Sequence, residues 1–259
     1  MTDQPDLPRD VALLWGLRPV GRRGRRPTLG VEEITRAAVR IADAEGLAAV
    51  SMARVAQELG NATMSLYRHV AGKDELLLLM SDAALEEPPS SLDGDWREQL
   101  TSWAAAVLAA IRRHPWHREI PISGPPIGPR NLAWFDRALG ALEPTGLGEA
   151  EKVSVVLGLL LVVHGQARLS IDLAAGFAAD PGSFGAGYAA ALTAVVDPER
   201  FPALGRVIAA GVFGPGGPGA DHDAPAEGFD ELDAEFRFAL RCYLDGVEAF
   251  VTGREPRRR

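Results

Sequence analysis

The chain has 259 residues, 47% of them hydrophobic, and a formal net charge of -8. That length and apolar content suffice for one large core or two small ones, while the acidic balance excludes a protein that coats nucleic acid over its whole surface. A single cysteine, Cys242, excludes an intramolecular disulfide framework and fits a reducing cytoplasm. Because it sits among apolar residues of a predicted helix, Cys242 is expected to be a buried structural thiol.

Charge is distributed unevenly. Positions 18 to 73 carry 10 Lys/Arg against 5 Asp/Glu, a local +5 that leaves -13 on the remainder. This asymmetry suggests a basic, polyanion-facing module joined to an acidic one. Helical signals dominate, and no alternating strand pattern bounded by turns is found, so the expected fold class is all-α.

Residues 1–17 read as a mobile arm in which Val11, Leu13, Leu14 and Trp15 are few but able to dock. The start is acidic and lacks an apolar stretch of signal-peptide type, so no secretory leader is expected. Arg22, Arg23, Arg25 and Arg26 follow, and residues 1–27 as a whole are taken as a flexible basic arm. Taken alone such a run is a solvated arm; beside a groove-binding module it can track phosphates or enter a minor groove.

The first helix is predicted over Val31–Glu45, with Ile34, Ala38, Ile41 and Ala42 on one face, Glu32 and Glu33 at its positive end and Gly46 as its stop. Ser51 is a suitable N-cap for the next helix, whose inner face is Met52, Val55, Ala56 and Leu59. Gly60 then supplies a sharp turn. A third helix is predicted over 63–69, with Leu66 and Val70 inward and Thr63, Met64, Ser65, Tyr67 and Arg68 outside. A longer helix over 75–86 leads out of the module, and Pro88-Pro89 marks its end.

Two short helices broken at Gly60, next to a basic arm, form the usual layout for placing one helix in a DNA groove. Thr63 and Ser65 carry hydroxyls for base edges, Met64 suits a thymine methyl, and Tyr67 and His69 reach phosphates or bases. Lys73 is placed for a phosphate, and Arg54 completes the candidate DNA contacts. Tyr67 and His69 also admit a plain reading, as capping and packing residues.

Beyond Pro89, helices are predicted near 95–113, 130–142, 149–176, 184–196, 199–210 and 229–252. The segment 121–129 and the Gly/Pro/Asp-rich segment 211–228 interrupt them as irregular connections. The most apolar run, 153–163, has eleven residues, short of the ~20 that a membrane span needs, so it is expected to be a helix buried on both sides. Monomer core or a subunit interface would each cover it.

The segments Ala44-Glu-Gly-Leu-Ala-Ala-Val-Ser-Met52, Val55-Ala-Gln-Glu-Leu-Gly60 and Leu66-Tyr-Arg-His-Val-Ala-Gly-Lys-Asp-Glu-Leu76 resemble the DNA-binding domain of the tetracycline-repressor (TetR) family. The pattern Leu-Tyr-x-His-Val-x-x-Lys is its specific mark. Two positions depart from the family pattern: Asn61 follows the turn glycine, and Ala53 with Arg54 replaces an early arginine of the second helix. More weakly, Asp95-Trp-Arg97, His114-Pro115, Trp134-Phe135 and the closing segment 236–247 look like the tetracycline-repressor branch.

The resemblance implies a helix-turn-helix domain over 28–88 and a ligand-binding and dimerisation domain over 89–259. It implies a cytoplasmic homodimer that binds a palindromic operator and is released by a small-molecule inducer. An activator or a ligand-independent regulator remain alternatives. It makes Thr63, Met64, Ser65, Tyr67 and His69 the recognition surface. In the closing helix, Phe236, Leu240, Tyr243, Leu244 and Val247 fall on one stripe, as a dimer face would require. Trp103, Trp116, Trp134, Phe135, His164 and Gln166 are candidate pocket residues, with core packing as the plain alternative for each. The position of the branch's metal-binding histidine falls near Pro121, so neither a metal nor tetracycline is expected, and no other cofactor is implied. An apolar or amphipathic effector is the expectation. Enzyme signatures such as His-Glu-x-x-His, Gly-x-Ser-x-Gly or a phosphate loop are not found.

Overall fold

The computed structural model describes residues 7–17, 29–120, 127–180, 186–213 and 234–253. Every regular element among them is helical. Arg22, Arg23, Arg25 and Arg26 lie outside the described residues, as does most of the 211–228 connection. By packing, the chain divides into two compact units, 1–93 with 106–141 and 94–105 with 142–259.

The first unit opens on α1 (Arg9–Leu14), so the segment expected to be mobile contains a helix. Val11 and Leu13 are buried, Arg9 pairs with Glu75 at 3.2 Å, and the Trp15 indole donates to the Ile127 carbonyl at 3.0 Å. Few apolar residues are enough because they meet a preformed helical surface. The next helix, α2 (Val31–Glu45), buries Ile34, Ala37, Ala38, Ile41 and Ala42 and stops at Gly46, whose φ of 83° favours glycine. In α3 (Met52–Glu58), the Ser51 hydroxyl caps the first turn by accepting from the Arg54 amide at 3.1 Å.

Gly60, at φ 64°, turns the chain into α4 (Thr63–Leu66). Asn61, the departure from the family pattern, closes this turn by donating its side-chain amide to the Leu59 carbonyl at 2.8 Å. The regular helix is shorter than the predicted 63–69. Its second half tightens into turns, with the His69 and Val70 amides both donating to the Leu66 carbonyl. A four-residue helix has no intrinsic stability; Leu66 and Val70, both fully buried, hold it in place.

Next, α5 (Lys73–Ala83) packs Leu76, Leu79 and Met80 inward. The unit is completed by the second half of α6 (Trp96–Arg113), a 3-10 turn at Pro115–Glu119, and α7 (Pro129–Ala141). It is therefore larger than the 28–88 segment alone.

The second unit contains the first half of α6, α8 (Glu149–Ala179), α9 (Ala186–Val195), α10 (Pro202–Ala209) and α11 (Ala234–Thr252). Along α8, Val156, Leu159, Val163 and Ala167 recur at helical spacing and are buried. They face α11, whose Phe236, Leu240, Leu244 and Val247 are buried in turn. Arg97, in the first half of α6, fastens that helix to α11 through Asp245 and Glu248.

Three expectations are corrected here. The 236–247 stripe is the inside of the unit, not its dimer face: Phe236, Leu240, Leu244 and Val247 meet their own α8, and Tyr243 donates its hydroxyl to the Val155 carbonyl at 2.7 Å. Cys242 lies on the opposite side of α11 and is exposed, because the turn that buries Tyr243 and Leu244 directs its neighbour outward. Finally, α8 is buried along one side only, leaving Leu157, Leu161, Leu169 and Leu173 exposed. The helix starts where predicted and runs three residues beyond the expected end at 176. Over Glu149–Gly176 it is long and apolar enough to cross a membrane by length and composition.

Candidate functional site

The short α4 and the turn after it present a coherent outer face. Met64 is 72% exposed and Tyr67 43%, Arg68 and Lys73 are exposed, and Thr63, Ser65 and His69 are half-buried. The expected residues are therefore brought together on one side of an element whose other side is locked by Leu66 and Val70. Burial of Leu66 and Val70 alone fixes which side faces out. Arg68 joins this face although it is not among the expected contacts. Its position between Tyr67 and His69, one helical turn from Ser65, is the signal that places it there.

The support behind this face is polar. Glu75, in the first turn of α5, accepts the Ala71 amide directly after the recognition turn, and its other oxygen takes the Arg9 guanidinium. The α1 helix thus braces the exit of the recognition element.

Arg54 departs from expectation. Its guanidinium donates to Glu45 at 2.6 Å and Glu58 at 3.1 Å, and the bonds to Glu45 and then Glu58 raise its pKa. These pairs join the end of α2 to α3 and leave its charge locally neutralised. A phosphate contact from Arg54 would have to compete with two carboxylates.

The six aromatic and polar pocket candidates do not form one group. Trp116 belongs to the core of the first unit and donates its indole N–H to Asp43 at 2.6 Å. Trp134 is buried and donates to the Leu85 and Glu86 carbonyls. Both therefore fasten the bundle that carries the recognition element. Phe135, beside Trp134, is half-buried. In the second unit Trp103 is fully buried, Gln166 is half-buried and donates to the Ser170 hydroxyl at 3.3 Å, and His164 is on the exposed side of α8. The expectation of polar groups within a fully buried helix is thus corrected, because His164 lies on the exposed side of α8. Partial desolvation of the His164 imidazole still holds its pKa below the ordinary histidine value.

Lys152 shows the opposite behaviour. Its stem is buried while its ammonium reaches Glu143 at 2.7 Å and Glu149 at 2.9 Å. Those two carboxylates, Glu143 foremost, raise its pKa. Among the described residues no group of three or more His, Cys, Asp or Glu is arranged to hold a metal.

Comparison with known proteins places this architecture. Residues 34–80 match the family described as bacterial regulatory proteins, tetR family, and residues 88–251 match the tetracyclin repressor-like C-terminal domain. The chain belongs to the TetR family. The HTH-type transcriptional repressor DrrR1 of Streptomyces coeruleorubidus is 38% identical, over 96% of this chain and 88% of its own length.

Among solved TetR-family structures, Streptomyces coelicolor ActR in complex with actinorhodin has a TM-score of 0.67 at 27% identity, covering 86% of this chain and 97% of its own. BioQ with its double-stranded DNA operator has a TM-score of 0.50 at 26% identity, covering 56% of this chain and 88% of its own. Members of the TetR family are transcriptional regulators that act on DNA and are not enzymes, and this chain is a helix-turn-helix transcriptional repressor of that family.

Proposed function

We propose that two copies of this chain bind a palindromic operator and that a small molecule releases them. The observation that carries the reading is the outer face of Thr63, Met64, Ser65, Tyr67, Arg68 and His69, held on an element pinned by buried Leu66 and Val70. Met64 and Tyr67 on the surface are apolar or amphipathic groups displayed where a base edge would cover them. Arg68 and Lys73 flank them with charge for phosphates. In the dimer the two recognition elements would sit about 34–36 Å apart, one turn of DNA.

The outward side of α8 and α11 supplies the dimer face. Leu161 is 76% exposed and Phe238 63%, and Leu157 and Phe250 are also exposed. These side chains share a helix pair with the buried stripe but point away from it, so a second copy would remove them from water.

The effector is an amphipathic aromatic compound. The relatives support this, since ActR has been solved with actinorhodin. A protein of this kind works in the cytoplasm, where its DNA is.

The test is gel retardation of the DNA upstream of the chain's own gene at low salt, with a polycyclic aromatic quinone added as trial effector. Retardation that the quinone relieves supports the whole reading. Retardation that no amphipathic aromatic relieves overturns the effector class alone. A dimer that retards no fragment from that region overturns the operator assignment.

A further inference from the structure

The carboxylate of Asp82 lies on α5 and is 4% exposed. It accepts the backbone amide of Arg130 at 3.1 Å, that of Asn131 at 3.0 Å and the Asn131 side-chain amide at 3.1 Å. The two backbone donors belong to the first turn of α7, where amides have no partner within the helix and the helix end is positive. The Arg130 guanidinium stands off at 3.9 Å, so the main partner of this buried charge is the end of a helix rather than a side-chain cation.

The chain before α7 is fitted to the same contact. A β-carbon at Gly128 would lie 2.0 Å from the Asp82 Oδ1 atom, so glycine is required for the approach. One residue earlier, the Ile127 carbonyl takes the Trp15 indole.

The other end of α5 holds the recognition element. Glu75 accepts the Ala71 amide, and Leu76 is buried beside Leu66 and Val70 in one core cluster. An eleven-residue helix is thus bonded at its start to the recognition turn and near its end to α7. Rotation of α7 cannot leave α5 still unless the Asp82 contact breaks, and breaking it strands a buried carboxylate.

We propose that Asp82 is a positioning residue through which α7 sets the orientation of the recognition element. The inference deepens the reading of 63–69 as the DNA-contacting face, and its first measurement needs no DNA. The full-length protein is compared with Asp82→Asn, which keeps the shape of the side chain and removes its charge, by amide hydrogen exchange. The proposal expects exchange to rise about tenfold at 130–132 and at 63–71 alike, with the α2 core unchanged, as a shared local opening requires. A rise confined to 130–132 overturns it, because Asp82 would then be a local cap. An equal rise throughout α2 also overturns it, because the effect would be general loss of stability.

If Asp82→Asn does not fold, Asn131→Ala removes a single donor and is read the same way, with a rise of about threefold. Binding to DNA from upstream of the gene is the second measurement, in which Asp82→Asn weakens retardation several-fold at a temperature where its helix content shows it fully folded. Should the unaltered protein bind no DNA, the operator reading fails while the exchange result still decides the role of Asp82.

Discussion

Tyr243 lies over Gly158 so closely that a β-carbon at position 158 would fall 2.3 Å from the phenolic oxygen. The same hydroxyl donates to the Val155 carbonyl, one turn earlier on α8. This close contact lies where α8 and α11 pack together. Gly158→Ala is therefore expected to destabilise the protein by about 1–3 kcal/mol through overpacking. Tyr243→Phe should cost about 1 kcal/mol for the lost hydrogen bond. Thermal melts of the two single variants and the double variant separate these contributions. The ring carbons also approach within about 3.0 Å of the added atom, so Tyr243→Phe should not rescue Gly158→Ala.

The recognition face separates affinity from stability. Leu66 is fully buried, and Leu66→Ala should lower stability by about 2–5 kcal/mol. Met64→Ala and Tyr67→Ala should instead leave the melting temperature in place and weaken operator binding by about tenfold or more, the equivalent of ~1.4 kcal/mol. Paired melting and retardation curves check this. A matching loss of stability in Tyr67→Ala would make that ring a packing group.

Charge variants distinguish free cations from paired ones. Arg68→Ala and Lys73→Ala should each reduce the slope of log affinity against log salt by about 1. Arg54 is bound to Glu45 and Glu58, so Arg54→Ala should leave that slope unchanged and lower the melting temperature. A salt titration of operator binding reads all three.

Placing charge on each side of α8 and α11 tests which side meets a second copy. Leu161→Asp or Phe238→Asp should give a folded monomer by sedimentation, with helix content retained. Leu244→Asp, on the buried side, should unfold the chain. Folded dimers from the first two variants would remove the outward face from consideration.

His164 gives a pH dependence whose sign follows from its lowered pKa. The folded state disfavours the charged imidazole, so the unfolded chain binds more protons between the folded value and the ordinary value of about 6.5. Stability is therefore full above about pH 6.5 and declines as pH falls through that value toward the folded pKa. His164→Gln should flatten this decline in melting temperature measured from pH 8 to pH 5. An unchanged profile would assign the decline to other groups.

Much of the first unit is legible in the amino-acid sequence. The caps at Gly46, Ser51 and Gly60, the inner faces of α2 and α3, and the inward Leu66 and Val70 all follow from local rules of helix geometry. The outward set around Tyr67 follows too, because once two inner positions are known the others have no freedom. The length of α4 is not legible, since its end depends on how Val70 docks rather than on any breaker residue. Docking of α1 is equally hidden, because Val11 and Leu13 are too few to form a pattern.

Partner assignments are harder. Trp116 and Trp134 are apolar and aromatic, which suits a ligand pocket and a core equally, and their indole bonds to Asp43 and Leu85 are long-range facts. The stripe on α11 is correctly periodic, but periodicity says only that one side is buried, not by which molecule. Short-range sequence thus determined the helices, their faces and the family, because backbone capping and apolar spacing act within a few residues. Tertiary structure alone decided that Phe236, Leu240, Leu244 and Val247 look inward, that Leu161 and Phe238 look out, and that Asp82 reaches α7. Those choices depend on which distant segments come together, and an apolar side chain or a carboxylate is compatible with many of them.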